Sequence, residues 1–99
     1  MTTATVKVVA HLTARPDKIE ETRAALLELI QPTRAEDGCI LYELSQNNAD
    51  PTDFTFIEEW TTDAALDTHL QSEHIRTFQS KADELLTTAP DIRRYTLVA

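Results

Sequence analysis

The stretch FTFIEEWTTDAALDTHLQSEH, residues 54–74, changes its periodicity partway along. Its first seven residues alternate, which predicts a strand with four side chains on one face: Phe54, Phe56, Glu58 and Trp60. The following TTDAALDTHL has helical spacing, and Ser72 is placed to cap another helix that begins after it. This stretch therefore predicts one strand followed by two helices.

Alternating segments also lie upstream of this stretch. Residues 5–13, TVKVVAHLT, form a predicted strand with one apolar face: Val6, Val8, Ala10 and Leu12. Residues 39–47, CILYELSQN, form another predicted strand, with Ile40, Tyr42 and Leu44 on one face, and the turn residues NNADPTD follow it. These two strands and the strand at residues 54–60 form most of a predicted sheet.

A helix is predicted between the first two strands. Asp17 is placed to cap its start, and the only glycine, Gly38, is placed to end it. Pro32 lies late in this segment and cannot donate to the carbonyl of Glu28, so we expect a kink or a loosened last turn. Near the other end of the chain, Pro90 precedes DIRRYTLVA, which predicts a last strand.

The predicted order β-α-β-β-α-α-β indicates an α+β, ferredoxin-like fold with a four-stranded antiparallel sheet. Helices would cover one face of that sheet and leave the other face bare. Because the bare face carries Val9, Leu41 and Ile57, we expect it to join two copies of the chain as a homodimer. The 99 residues, 41% of them apolar, favour one domain over residues 1–99.

Charge and cysteine content exclude several classes of partner. The net charge of −8 argues against binding to nucleic acid or to an anionic membrane, since both need clustered Lys and Arg. No stretch approaches the roughly 18 apolar residues of a membrane span. Cys39 is the only cysteine, and no leader-like segment is recognised at residues 1–12, so we expect a cytoplasmic protein.

The sequence also lacks several cofactor and catalytic motifs. With Gly38 alone, no glycine loop can cradle the phosphates of ATP or NAD. The three histidines, His11, His69 and His74, have no HExxH spacing and no cysteine pairs beside them, so no metal site is predicted. No GxSxG sequence occurs either. A pocket of aromatic, carboxylate and imidazole groups remains as the candidate site.

His69 and His74 could converge only if the chain breaks between them. On one continuous helix their five-residue spacing would separate them by about 140° around the axis. A break at Gln71-Ser72 would let both imidazoles turn towards one cavity. An imidazole there could deprotonate an acidic phenol or enol, and the resulting carbanion can react with oxygen without a flavin or a metal.

Several segments together resemble the antibiotic biosynthesis monooxygenase family over essentially the whole chain: RPDKIEE, PTRAEDGCILYELSQN, FIEEW, LDTHLQSEHIRTF and RRY. The sequence EEW followed by HLQSEH is the most specific part, and the chain looks most like the small quinol-monooxygenase-like members. The resemblance implies a dimeric α+β barrel with a pocket in each subunit. Its members include cofactor-independent oxygenases of polycyclic phenols, anthrones and quinols, haem-degrading oxygenases, and isomerases of small signalling molecules.

The resemblance also implies site residues. The family's commonest pocket positions correspond to Trp60, His69 and His74, which we take as the candidate catalytic residues. The haem-degrading branch needs an asparagine in the first strand, and TVKVVAHLT has none. Four further residues are candidates for the substrate pocket: Tyr42, Phe56, Glu58 and Phe78.

Each of these residues also has an ordinary structural interpretation. Trp60 could be a core anchor, and Tyr42, Phe56 and Phe78 are more often core residues than ligand contacts. Glu58 shares a face with aromatic side chains, so it must be paired, hydrated or functional. Pairing with Arg76 or with an imidazole is the simplest expectation for it.

Three functions remain open from the sequence. The leading hypothesis is a cofactor-independent monooxygenase of a small aromatic, quinol or anthrone-like substrate, with His74 or His69 as base and molecular oxygen as co-substrate. The second is an isomerase that shuttles a proton in a small hydroxyketone with the same histidines. The third is a ligand-binding or stress-related dimer without catalysis.

Overall fold

A computed structural model describes residues 4–99 of the chain. Its helices and strands follow in the order β1 Val6–Thr13, α1 Ile19–Leu27, α2 Ile30–Arg34, β2 Cys39–Gln46, β3 Asp53–Trp60, α3 Asp63–Leu70, α4 Glu73–Leu85 and β4 Asp91–Tyr95. The strands form one antiparallel sheet in the order β2-β3-β1-β4. The predicted α+β, ferredoxin-like architecture is therefore confirmed.

The core lies between one face of the sheet and the helices. Alternate residues of β1 and β3 point into it, and all are at most 5% exposed: Val8, Ala10, Leu12, Phe54, Phe56, Glu58 and Trp60. Leu26 of α1, Leu66 of α3 and Phe78 of α4 pack against them from the helical layer. The alternation predicted for β1 and β3 is confirmed, because each strand buries every second side chain.

The single helix predicted before β2 is two helices. α1 ends at Leu27, and α2 begins at Ile30. Pro32 lies in the first turn of α2. Backbone N–H groups in a first turn have no acceptor within the helix, so the N–H that proline lacks costs no hydrogen bond there. The break between α1 and α2 therefore allows a proline at this position. The prediction that Asp17 caps the first helix is wrong, since Lys18 holds the N-cap position and makes no side-chain bond there.

Gly38 lies beyond the end of α2 and leads directly into β2. Its φ of +86° is in the left-handed region, which favours glycine. A Cβ at this position would lie 2.6 Å from the Cβ of Ala65 and 2.7 Å from Oγ1 of Thr61. Gly38 is therefore required both by its backbone conformation and by the close approach of the α3 region.

The pairing of β2 with β3 contains one extra residue. Cys39 pairs with Trp60 and Leu41 pairs with Glu59, so Ile40 is left without a partner in the register. The prediction that Ile40 shares the buried face of Tyr42 is wrong: Ile40 is 51% exposed, whereas Cys39 packs against the core. An extra residue of this kind shifts the alternation of one strand by one position.

The second face of the sheet is not covered by helices. Val9 and Leu41 are partly buried on this face, and Ile57 is exposed. β4 is exposed along its whole length and ends at Tyr95. Within residues 4–99, every helix is too short or too polar to cross a membrane.

Candidate functional site

The break between α3 and α4 brings the two histidines together. Ser72 is the N-cap of α4, where its Oγ accepts a hydrogen bond from the backbone N–H of Ile75 at 3.4 Å. The same Oγ donates to the carbonyl of His69 at 2.7 Å. Ser72 therefore ties the end of α3 to the start of α4, and the rings of His69 and His74 lie 6.0 Å apart, centroid to centroid. The predicted break and its cap are confirmed.

Both imidazoles bind one carboxylate oxygen. Oε2 of Glu36 lies 2.7 Å from Nδ1 of His69 and 2.9 Å from Nε2 of His74. Glu36 belongs to the loop between α2 and β2, where its N–H donates to the carbonyl of Thr33 and its own carbonyl accepts from the N–H of Cys39. The cluster of Glu36, His69 and His74 thus joins a fixed loop to the junction of α3 and α4.

With Glu36 ionised, the hydrogen bonds of this cluster assign the hydrogens of both imidazole rings. An ionised carboxylate only accepts hydrogen bonds, so the ring nitrogens that bind Glu36 are the protonated ones. In neutral His69 this leaves Nε2 without a hydrogen, and among residues 4–99 Nε2 has no hydrogen-bond partner. The side chain of His69 is only 2% exposed. Burial lowers the pKa of His69, although the bond to Glu36 acts in the opposite direction.

Aromatic rings surround His69 on its buried sides. The Trp60 ring lies 4.7 Å from the His69 ring, and the Tyr42 ring meets it edge-on at 5.5 Å. Tyr42 in turn stacks on Phe56 with 4.7 Å between ring centroids. Burial, together with the charge of Glu58, raises the pKa of Tyr42 well above its ordinary value, so Tyr42 is a neutral phenol at physiological pH.

Glu58 is paired with the indole of Trp60. Nε1 of Trp60 donates to Oε1 of Glu58 at 2.8 Å. The expectation that Glu58 pairs with Arg76 or with an imidazole is therefore wrong, because the nearest donor stands two residues along the same strand face. Burial raises the pKa of Glu58, and the Trp60 hydrogen bond offsets this only in part.

An apolar cavity of about 60 Å³ lies beside His69. Its walls include five of the predicted site residues: Tyr42, Phe56, Glu58, His69 and Phe78. A larger groove, of about 370 Å³, runs between the α1–α2 segment and α4, and His74 lines it. The cavity and the groove share Leu29 and Phe78 as walls. These two side chains thus lie between the cavity and the groove, and the cavity also reaches the exposed residues Pro90 and Ile92.

Trp60 differs in position from the other candidate residues. It is completely buried and lines neither the cavity nor the groove, so it touches the site through His69 and Glu58.

Glu36 is the residue of the cluster that sequence analysis did not predict. It is an acidic residue in a loop, 33 positions from His69, and no periodicity marks it. The only signal was its place just before Gly38 in a segment that carried the family resemblance.

This chain is similar to known proteins in both sequence and structure. A family model described as "Antibiotic biosynthesis monooxygenase" matches residues 5–81, which include Glu36, His69 and His74. A Mycobacterium tuberculosis relative, "Putative monooxygenase Rv0793", is 40% identical over 85 residues, covering 86% of this chain and 83% of the relative. The solved structure of PA3566 from Pseudomonas aeruginosa has a TM-score of 0.93 and 33% identity, covering 100% of this chain and 99% of that one.

One further relative is longer than this chain. An uncharacterized protein from Synechocystis sp. is 34% identical over 90 residues, which make up 91% of this chain. The same alignment covers 61% of the Synechocystis protein, so this chain spans less than two thirds of that relative's length. The similarity therefore extends over the α+β domain and not over the rest of that protein.

Proposed function

This chain belongs to the antibiotic biosynthesis monooxygenase family, and we propose that it is a cofactor-independent monooxygenase of a small aromatic, quinol or anthrone-like substrate. The observation that carries the proposal is the 2.7 Å contact between Oε2 of Glu36 and Nδ1 of His69. In this proposal molecular oxygen is the second substrate, and no flavin, haem or metal takes part in the reaction.

His69 acts as the base. Glu36 keeps the hydrogen of the neutral ring on Nδ1, so Nε2 carries the lone pair that accepts a proton from the substrate. Once His69 is protonated, the carboxylate of Glu36 stabilises the imidazolium through the same hydrogen bond. Trp60 packs against the ring and restricts its orientation. Trp60 is therefore a positioning residue rather than a group that touches the substrate.

The reaction of an anthrone-like substrate needs no external reductant. Nε2 of His69 removes one proton from the activated methylene carbon, and the carbanion gives its electrons to O₂ to form a C–O bond. The peroxide takes the proton back from His69. Loss of the second C–H proton and cleavage of the O–O bond then release water and leave a ketone. One oxygen atom enters the product, the other becomes water, and the methylene carbon supplies all four electrons.

The substrate needs a space larger than the cavity beside His69. Small-molecule sites commonly occupy about 300–1,000 Å³, whereas the cavity beside His69 holds about 60 Å³. The adjoining groove of about 370 Å³ supplies the missing volume once Phe78 and Leu29 move apart. We therefore propose that an aromatic ring passes Phe78 and lies against Tyr42 and Phe56, which already stack on each other.

A second candidate function is an isomerase of a small hydroxyketone. The observation that favours it is the shared oxygen of Glu36, which links two imidazoles and offers a path for a proton between His69 and His74. Such a shuttle returns the proton to a different atom of the same substrate. Because isomerisation consumes no oxygen, oxygen uptake distinguishes this reaction from the oxygenase.

We propose that the protein acts as a homodimer joined through the uncovered face of its sheet. Val9, Leu41 and Ile57 give that face an apolar centre, and Ile57 is 39% exposed in the single chain. An exposed apolar surface of this kind is typical of an association site. The α+β barrel implied by the family resemblance would then form from two such sheets.

The direct test is oxygen uptake by metal-free protein with a panel of anthrones and quinols. A general base commonly contributes about 10²–10⁴-fold to a rate, so His69→Gln should lower the uptake rate by about 100-fold or more. His11→Gln is the matched control, because His11 bonds Thr55 on the uncovered face and belongs to neither the cluster nor the cavity. Light scattering of this variant checks that it keeps the native oligomeric state. Equal uptake by the native protein and His69→Gln would rule out His69 as the base. Substrate conversion without oxygen uptake would support the isomerase.

A further inference from the structure

We propose that Glu36, His69 and His74 form a binding site for one divalent transition-metal ion, and that this ion switches off His69 as a base. Among residues 4–99, these three residues each offer one ligand atom, and the three atoms lie within 4.8 Å of one another. The inhibition rests on the function proposed above, whereas the binding of the ion does not.

The distances within the cluster are close to those of a metal site. Zinc binds histidine nitrogen and carboxylate oxygen at about 2.0–2.2 Å, so two ligand atoms on one tetrahedral ion stand roughly 3.3–3.6 Å apart. Oε2 of Glu36 now lies 2.7 Å from Nδ1 of His69 and 2.9 Å from Nε2 of His74. Admitting an ion therefore requires each imidazole nitrogen to move about 0.4–0.9 Å away from Oε2 of Glu36. The two imidazole nitrogens, which lie within 4.8 Å of each other, must approach to the same ligand spacing. The side chains of Glu36 and His74 are partly exposed, which leaves them room to adjust.

The ligand atoms of the cluster determine which metal ions it can bind. Two imidazoles and one carboxylate suit zinc, iron(II) and cobalt(II), whereas magnesium and calcium prefer oxygen ligands alone. Three protein ligands leave at least one position for water. Oγ of Ser72 lies 3.2 Å from Nε2 of His74 and provides a hydrogen-bonding group beside the ligands.

An ion can reach the cluster without passing through the apolar cavity. A hollow of about 390 Å³ opens on the side of Glu36, with Asp37 beside it. The two carboxylates, and the net charge of −8 on the chain, favour the approach of a cation. The hollow beside Glu36 shares no lining residue with the cavity that holds the proposed substrate. Metal and substrate would therefore enter through separate spaces.

The ion affects the basicity of His69 because of the ring nitrogen that it binds. The ion binds Nδ1 of His69, the atom that now carries the hydrogen. A neutral imidazole that ligates through Nδ1 must carry its hydrogen on Nε2. His74 undergoes the opposite change, because the ion replaces the hydrogen on Nε2 and the hydrogen moves to Nδ1. No proton is released overall, but Nε2 of His69 loses the lone pair with which it acts as the base.

Binding is tested first, without any substrate. Cobalt(II) is titrated into metal-free protein, with binding followed by calorimetry and by the visible d–d absorption of the ion. Loss of a residue that only supports a ligand costs about 10- to 100-fold in metal affinity, so His74→Gln should weaken binding by about 100-fold or more. Glu36→Gln should act in the same way and serves as a second variant. His11→Gln should bind cobalt(II) as the native protein does.

The protonation change is tested next. Long-range ¹H–¹⁵N spectra of the metal-free protein should show the hydrogen of His69 on Nδ1, and one equivalent of zinc should move it to Nε2. Zinc should also stop oxygen uptake at the same occupancy. Absence of cobalt(II) binding, or equal binding by the native protein and both cluster variants, would overturn the metal site. An unchanged protonation state in zinc-bound protein would overturn the switch, even if the protein proved to have no oxygenase activity.

Discussion

Trp60 donates its indole N–H to the carboxylate of Glu58 at 2.8 Å, from a position two residues away on the same face of β3. Both side chains are buried against the helical layer. Each group thereby gives the other a hydrogen-bond partner within the buried layer. The bond holds the indole that packs on His69, so the packing of the candidate site depends on a carboxylate outside the cluster of Glu36, His69 and His74.

Replacement of Glu58 by Gln should change how stability depends on pH. Burial raises the pKa of Glu58 in the folded chain above its unfolded value, so its contribution to the free energy of unfolding is greatest below the unfolded-state pKa. That contribution is lost as the pH rises through the folded-state pKa. Gln still accepts from Trp60 but cannot ionise. The difference in Tm, variant minus native, should therefore be more positive at pH 7 than at pH 4.

Glu59→Gln is the matched control for this measurement. Glu59 lies on the opposite face of β3, and its hydrogen bond from Thr5 lowers its pKa. A lowered pKa stabilises the folded chain above the unfolded-state pKa, so the difference in Tm should be more negative at pH 7 than at pH 4. Thermal melts at pH 4 and pH 7 give the Tm difference between each variant and the native protein. If this difference shifted in the same direction for both variants, the assignment would be contradicted.

Ser72→Ala should both destabilise the protein and disturb the site. Loss of an N-cap side chain costs about 1 kcal/mol of folding stability, and this change also removes the bond from Oγ to the carbonyl of His69. Thr62→Ala removes the cap of α3, where Oγ1 accepts from the N–H of Ala65. Urea unfolding should show a similar loss for both variants. Only Ser72→Ala should weaken cobalt(II) binding, and equal weakening would indicate a general loss of stability.

Gly38→Ala should be strongly destabilising. The left-handed conformation costs a residue with a Cβ about 1–2 kcal/mol, and overpacking adds about 1–3 kcal/mol. The overpacking arises because the new Cβ would lie 2.6 Å from the Cβ of Ala65. A double-mutant cycle with Ala65→Gly separates the two effects by urea unfolding. Ala65→Gly should recover part of the loss, and purely additive effects would show that the two residues do not clash.

Phe78→Leu should widen the range of substrates. A smaller side chain at Phe78 shortens the wall shared by the cavity and the outer groove, so bulky aromatic substrates should gain in kcat/KM relative to small ones. Phe54→Leu is the control, since Phe54 is equally a core residue but lines neither space. Both changes should cost about 1 kcal/mol or more of stability. An identical substrate profile for the two variants would exclude Phe78 as the barrier.

Ile57→Glu should separate the proposed homodimer. A charge placed at the centre of the uncovered sheet face would have to be buried in the interface, which is costly without a partner. Light scattering at micromolar concentration should then give the mass of one chain for the variant and of two chains for the native protein. Leu27→Glu, at an exposed position of α1, should remain dimeric. A native protein that already scatters as a monomer would contradict the dimer.

The parts of the fold that sequence analysis predicted correctly depend on local periodicity. β1 and β3 bury every second side chain, and the break before α4 follows from Ser72 and its neighbours. Ile40 was assigned to the wrong face because Ile40 and Leu41 are both apolar, so alternation could not reveal an extra residue between them. Glu36 was missed for a different reason, since its contact with His69 spans 33 positions and arises only when the loop and the helices meet.

The extra residue at Ile40 also affects how the chain avoids unwanted assembly. β2 is an edge strand, and an edge with regularly spaced N–H and C=O groups offers a template for a strand of another molecule. An inserted residue bends the strand and increases its local twist, which interrupts that template. An edge interrupted in this way disfavours fibrous growth by strand addition along β2.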